Sequence, residues 1–170
     1  MAPSIRRSRR PGSRAVVGLL LRLLDEAFDH KAWHGQNLRG AVRRLDPRRA
    51  GWRPGPSRHN AWEVAVHAAY WKYAVWRQLT QEKRGGFALK GSNWFERPES
   101  GTAAAWRDDV ALLVREHRRL VEVVARLEDA DLAVRPPGSR YDRAALIRGA
   151  ASHDLYHAGQ IQLLKRLCPW

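Results

Sequence analysis

The run AWEVAVHAAYWKYAVWRQL at residues 61–79 contains no glycine or proline, and between 62 and 76 only Glu63, His67 and Lys72 can ionise. Asn60 in front of it, with Glu63 three residues on, is a capping-box variant that starts a helix. A helix apolar nearly all round must be buried against several neighbours. The rest of the chain is therefore expected to pack other helices around this one, and His67, at its midpoint, is expected inside.

Candidate neighbours are visible on both sides. From Ala15 the residues Val16, Leu19, Leu20, Leu23, Leu24 and Phe28 mark one helical face. The pattern loosens over 29–38 around Gly35, where a kink or break is expected, before LRGAVRRL resumes to Leu45. Residues 46–59 carry three prolines and two glycines and read as a loop. The segment 80–101 is too long and too glycine-rich for a simple turn, and loops of that length are usually functional or mobile. Thr102 caps a third helix over about 103–128, with a stripe of Val110, Leu113, His117, Leu120, Val124 and Leu127. After a connection at 129–140, a fourth helix runs from about Tyr141 to Leu167. No segment alternates with period two for long enough to suggest a strand. The expectation is an all-α, up-and-down four-helix bundle over residues 15–170 as one domain, with the first helix broken and a flexible basic tail at 1–14.

Composition narrows the classes of function. No apolar run approaches the roughly 20 residues that span a bilayer. The single cysteine, Cys168, excludes an internal disulfide framework and fits a reducing, cytoplasmic setting. A formal charge of +14 invites a nucleic-acid reading, but five arginines sit in the tail segment RRSRRPGSR and the remaining excess is spread along the chain. The aromatic residues fall mostly on faces expected to be buried, not between arginines on an exposed one. Nucleic-acid binding through the basic tail is thus the weaker alternative, and its signature would be steep loss of affinity with salt.

The informative stretch is HDLYHAGQIQLLKRL at 153–167. Its inward stripe runs Leu146, Ala150, His153, His157, Gln160 or Ile161, and Leu164, so that two imidazoles occupy positions meant for leucine. His153, His157 and Gln160 fall within about 60° of one another on the core face. Buried imidazoles without partners lose their hydrogen bonds to water. Histidines at i and i+4 can satisfy that need by turning ring nitrogens toward one cation at about 2.0–2.1 Å. His67 is the best third ligand, and three imidazoles with a position left to water or substrate suit Lewis-acid chemistry. HxxxH pairs also occur as structural or exposed features, and the zincin signature is absent because Asp154 replaces its glutamate.

The segments RHNAWEVAVHAAYWKYAVWRQLT, KGSNWF and HDLYHAGQIQLLKRL resemble the DinB-like superfamily, which includes YfiT-type proteins and bacterial thiol-dependent transferases. The resemblance covers roughly residues 15–167. It implies a bacterial four-helix bundle, often a homodimer, that holds a divalent metal through His67, His153 and His157. It also implies a transferase acting on a small-molecule electrophile with a low-molecular-weight thiol of the mycothiol or bacillithiol type, whose pKa the metal lowers. Nickel, zinc and iron all suit imidazole, and ligand type does not choose among them. A non-catalytic metal-binding or structural dimer is the alternative.

Further pocket candidates are Glu63, as a carboxylate orienting His67 or only a cap; Gln160, facing a metal water; and His34, beside the expected kink. Arg84, Lys90 and Arg58 are candidates to meet anionic parts of a cofactor. His117 is expected at the bundle's edge among REHRR, with a structural role, and His30 and His59 are expected to be exposed. Nothing offers Cys168 a base.

Overall fold

The computed structural model describes residues 13–170, whose regular elements are all helical, without a strand. Six α-helices follow in order: α1 (Ala15–Phe28), α2 (Leu38–Val42), α3 (Pro47–Gly51), α4 (Ala61–Thr80), α5 (Ala103–Val124) and α6 (Arg143–Leu167), with a 3₁₀ turn at Asp129–Ala133 before the last. The basic tail expected at 1–14 lies almost wholly outside the described residues. No helix among them is long and apolar enough to cross a membrane.

The helix starts follow side-chain chemistry. The Asn60 side chain accepts from the Glu63 amide while the Glu63 carboxylate accepts from the Asn60 amide, a complete capping box on α4. The Thr102 side chain caps α5 and the Asp142 side chain caps α6, each accepting from the amide three residues on. For α1 the cap comes from far along the chain. Asp129 accepts from the Val17 amide at 2.9 Å and from the Ser13 hydroxyl at 2.6 Å.

The first helix is broken as expected, with α2 restarting at Leu38 under an Asn37 cap. Residues 46–59, expected as loop, instead contain α3. Asp46 caps it and Pro47 occupies its first turn, where a missing N–H costs nothing. The density of proline and glycine hid that start signal. The third helix ends at Val124, short of the expected 128, because the chain turns into the 3₁₀ segment.

Around the bundle α1 packs on α6, α6 on α4, α4 on α5, and α5 on α1. Directions follow from the pairs in contact. Trp62 meets Trp106 and Asp109, Lys72 meets His117, and Arg119 lies over Trp76, so α4 and α5 run parallel. His67 meets His157, and Lys72 meets Asp154, so α6 runs antiparallel to α4. The up-and-down expectation is refined at this step, since two consecutive long helices point the same way.

That refinement explains residues 81–102. A helix of 20 residues is about 30 Å long, and the chain must travel back along it to start a parallel neighbour. It does so beside α4 as a strap. The Gly86 amide donates to the Tyr73 hydroxyl, Asn93 meets His67 and Trp71, Arg97 meets Glu63, and Gly101 lies on Trp62. A Cβ on Gly101 would stand 2.4 Å from the Trp62 ring, so only glycine permits the final approach.

Buried apolar side chains form two clusters, one around Trp62, Leu38, Leu113 and Ile161, the other around Leu24, Leu120, Val124 and Ile147. On α4, α5 and α6 alike, a polar residue falls between the two sets: Lys72, His117 and Asp154. The Lys72 ammonium is ion-paired with Asp154, lies 3.3 Å from His117 Nδ1, and sits over the Phe28 ring. His117, expected at the edge, is buried and stacks on Phe28 at 3.7 Å between centroids. The arginines around it in sequence point elsewhere, Arg119 onto Glu116 and the Trp76 face.

Candidate metal centre

His67 lies in the second turn of α4, and His153 and His157 are one turn apart on the antiparallel α6. The three rings converge. His153 Nε2 is 3.2 Å from His67 Nε2 and 3.0 Å from His157 Nε2, and one nitrogen from each ring lies within 4.8 Å of the others. Ligands held tetrahedrally at about 2.0–2.1 Å from a cation stand roughly 3.3–3.4 Å apart. The spacing of these nitrogens therefore fits one ion between them.

The far side of two rings is fixed by a hydrogen bond. His67 Nδ1 donates to the Asn93 carbonyl at 2.8 Å, and His157 Nδ1 donates to Gln160 Oε1 at 2.6 Å. Both bonds put the proton on Nδ1, leaving a lone pair on Nε2 aimed at the centre. Gln160 is itself held by donation from its amide to the Tyr156 hydroxyl at 3.1 Å. Its role is thus on His157.

Burial keeps all three imidazoles neutral. It pushes His153 down to about 3, with the neighbouring His157, His67 and Lys72 adding to the effect, and His157 down to about 4 against the opposing pull of Gln160. Burial also lowers His67. Near pH 7 each ring offers its lone pair without first losing a proton, which is the form that binds a cation.

Aromatic side chains close the α4 side. Trp94 stacks on His67 at 3.9 Å and on His59 at 3.6 Å, so one indole is held between two imidazoles. Trp71 donates its indole N–H to Asn93 Oδ1 at 3.0 Å. Asn93 has φ of +65°, a conformation that asparagine tolerates better than most residues. Thus the strap supplies both the carbonyl and the stacking ring that position His67.

Glu63 does not touch His67. Its carboxylate binds Arg53 through two bonds of 2.6 and 2.9 Å, His59 Nδ1 at 3.0 Å and the Arg97 amide at 3.1 Å. Burial alone would raise its pKa, but these donors bring it down to about 2. Its place in the first turn of α4 directs it to the cap and the strap, away from the centre. His34 is exposed on the turn bridged from Ala32 to Gly35, because the helix break carries it outward. His30 and His59 are exposed as expected. Arg84 lines a groove that reaches His153, Arg58 lines a separate cavity beside Glu63 and Trp94, and Lys90 is exposed on the strap.

Trp94 and Asn93 were missed as site residues, although KGSNWF was singled out as a segment. The buried pair Lys72–Asp154 was missed as well. A lysine inside an apolar helix and an aspartate on a core stripe each need an opposite charge, and that need is the signal that joins them.

Compared with known protein families, residues 30–161 match the family model described as the DinB superfamily. No curated protein and no solved structure matches the chain.

Proposed function

The chain belongs to the DinB superfamily, and from that premise we propose that it is a metal-dependent protein holding one divalent cation through His67, His153 and His157. The observation that carries this reading is the meeting of three neutral imidazoles, with His153 Nε2 at 3.2 Å from His67 Nε2 and at 3.0 Å from His157 Nε2. With Nε2 of His67 and of His157 both left as acceptors, a neutral His153 can donate to at most one of them in the absence of a cation, so a lone pair stays unmet.

We propose further that the centre serves a transferase using a low-molecular-weight thiol. When bound, the cation supplies Lewis acidity that favours the thiolate form of a coordinated thiol. The chain's own contribution is positional. Asn93 and Gln160 fix the tautomer and tilt of His67 and His157, the indole of Trp94 covers the His67 face, and the α4–α6 groove gives a small molecule access to His153. Zinc, nickel and iron remain equal candidates by donor type.

The protein is also proposed to act as a homodimer in the cytoplasm. Val16, Leu19 and Leu23 support pairing through α1, being 49%, 48% and 37% exposed on one helical face. Sedimentation would give a single species of twice the chain mass, reduced to the chain mass by Leu19→Glu.

Elemental analysis tests the centre first. The protein as purified or refolded with zinc should carry about one ion per chain, and His153→Ala with His157→Ala should carry almost none. Equal metal in both would reject the site. Turnover of a generic electrophile by metal-loaded protein with mycothiol, bacillithiol or glutathione then tests the transferase reading. Activity absent with all three would reject it and leave a metal-binding protein.

A further inference from the structure

A groove of about 820 Å³ runs between the C-terminal half of α4 and the N-terminal half of α6, bounded by the turn at 137–141. That volume is typical of small-molecule sites. His153 stands at its inner end beside Lys72 and Asp154, and Trp71, Val75 and Leu146 give it apolar walls.

Its charge is lopsided. Arg77, Arg84, Arg140 and Arg148 all line it, and among the described residues none of them is ion-paired with a carboxylate. Arg77 reaches only the Glu82 carbonyl, at 3.4 Å. The carboxylates lining the groove are Glu82 and Asp154, and the second is already taken by Lys72. Elsewhere in the molecule Arg53 is given Glu63 and Arg97 is given Asp109. Guanidinium groups gathered along a cleft with apolar walls focus a positive potential into it.

The spacing along the helices sets a length. Arg148 is five residues before His153 on α6, and Arg77 is five residues after Lys72, the partner of Asp154, on α4. At 1.5 Å per residue both guanidinium-bearing positions lie about 7.5 Å along the axes from the inner end, with Arg84 and Arg140 farther out.

We propose that this groove binds an elongated small molecule with a carboxylate or phosphate at one end, held by Arg77 and Arg148, whose other end reaches His153. The inner end of this assignment rests on the metal reading; the arginine end does not. The two are separable by experiment.

Calorimetry on metal-free protein isolates the arginine end. Octanoate and octyl phosphate should bind at least about tenfold more tightly than octanol, consistent with charge-assisted hydrogen bonds to guanidinium. The better of the two identifies the anion. Arg77→Gln with Arg148→Gln should bring the preference below about twofold, while Arg107→Gln, on exposed α5 surface, should leave it intact. Equal binding of the acid and the alcohol, or a preference that survives the double substitution in a protein of unchanged circular dichroism, would overturn the proposal.

A second arm uses cobalt-loaded protein and the sulfur-to-cobalt absorption band. ω-Mercaptooctanoate should produce that band at roughly tenfold lower concentration than ω-mercaptooctanol, and the double substitution should remove the difference without changing the alcohol's titration. A band equal for both thiols overturns the groove assignment alone. Failure to load cobalt, with octanoate preference retained, overturns the metal reading alone.

Discussion

Asn93 and His67 are joined by a 2.8 Å hydrogen bond from the imidazole Nδ1 to a main-chain carbonyl, although 26 residues separate them. A backbone acceptor cannot be removed by substitution, but its position can be disturbed. Asn93→Ala forces an unfavourable left-handed φ and removes the acceptor for Trp71, and it should weaken zinc binding about tenfold in a chelator competition. Asn93→Gly restores the backbone freedom and should recover part of that loss. Identical affinities for all three proteins would show that the strap does not position His67.

Gln160 acts on His157 from the other helix. Gln160→Leu leaves the Nδ1 proton without its acceptor, and metal affinity should fall about 10–100-fold while the fold is kept. The same competition assay reads it, with Gln160→Glu expected to bind at least as tightly as the parent.

Lys72 and Asp154 are each at most 1% exposed. Removing one partner strands the other charge, so Lys72→Met alone should cost roughly 3–5 kcal/mol in urea unfolding. Lys72→Met with Asp154→Leu should recover most of that loss, because a well-packed apolar pair of similar volume serves as well. A double variant no more stable than the single one would refute this account.

Gly101 and Gly51 are where the strap approaches α4 and α3 closely. A Cβ on Gly101 would lie 2.4 Å from the buried Trp62 ring, and one on Gly51 would lie 2.4 Å from the Glu99 carbonyl. Each alanine substitution should destabilise by about 1–3 kcal/mol. Gly159, exposed on α6 with nothing within 4 Å, should respond oppositely, Gly159→Ala stabilising by up to about 1 kcal/mol. Thermal midpoints of the three proteins check the contrast.

Metal-free protein should lose stability on acidification from near neutrality. Burial holds His117 at about 2, His153 at about 3 and His157 at about 4, all below the ordinary 6.5. Below about pH 6.5 the unfolded chain therefore binds more protons than the folded one, and stability falls by about 1.4 kcal/mol per pH unit for each such proton. Glu63, held near 2, adds a further loss below its ordinary 4.5. Asp154 works the other way: burial raises it to about 6, and its protonation between 3.8 and 6 partly offsets the decline. Urea midpoints from about pH 7 to pH 5 with a chelator present should fall steeply, and a flat profile would contradict the burial of these groups.

The helices were legible because their signals are local. Asn60 and Thr102 announce α4 and α5, and the spacing of His153 and His157 places both on one face whatever lies opposite. Asp46–Pro47 carried the same kind of signal, masked by the glycines and prolines around it. What could not be read is the direction of travel between helices. That α5 runs parallel to α4, and that 81–102 therefore lies along α4 with Asn93 and Trp94 at His67, depends on packing between distant elements. His34 and Glu63 illustrate the cost: each is close in sequence to the right region, but one is turned outward by the helix break and the other is held by Arg53. His117 shows the reverse, since charged neighbours in sequence are not neighbours around a helix.

The parallel setting of α4 and α5 has an electrostatic consequence at their common starting end. Each helix places roughly half a positive charge at its N-terminus, and two such ends lie side by side where an antiparallel pair would oppose them. Arg53 and Arg97 add two full charges to the same region. Glu63, in the first turn of α4, is therefore counter-ion to a macrodipole as well as to Arg53, while Asp109, two turns into α5, answers Arg97, and neutralising both carboxylates would leave that pole of the bundle repelling itself.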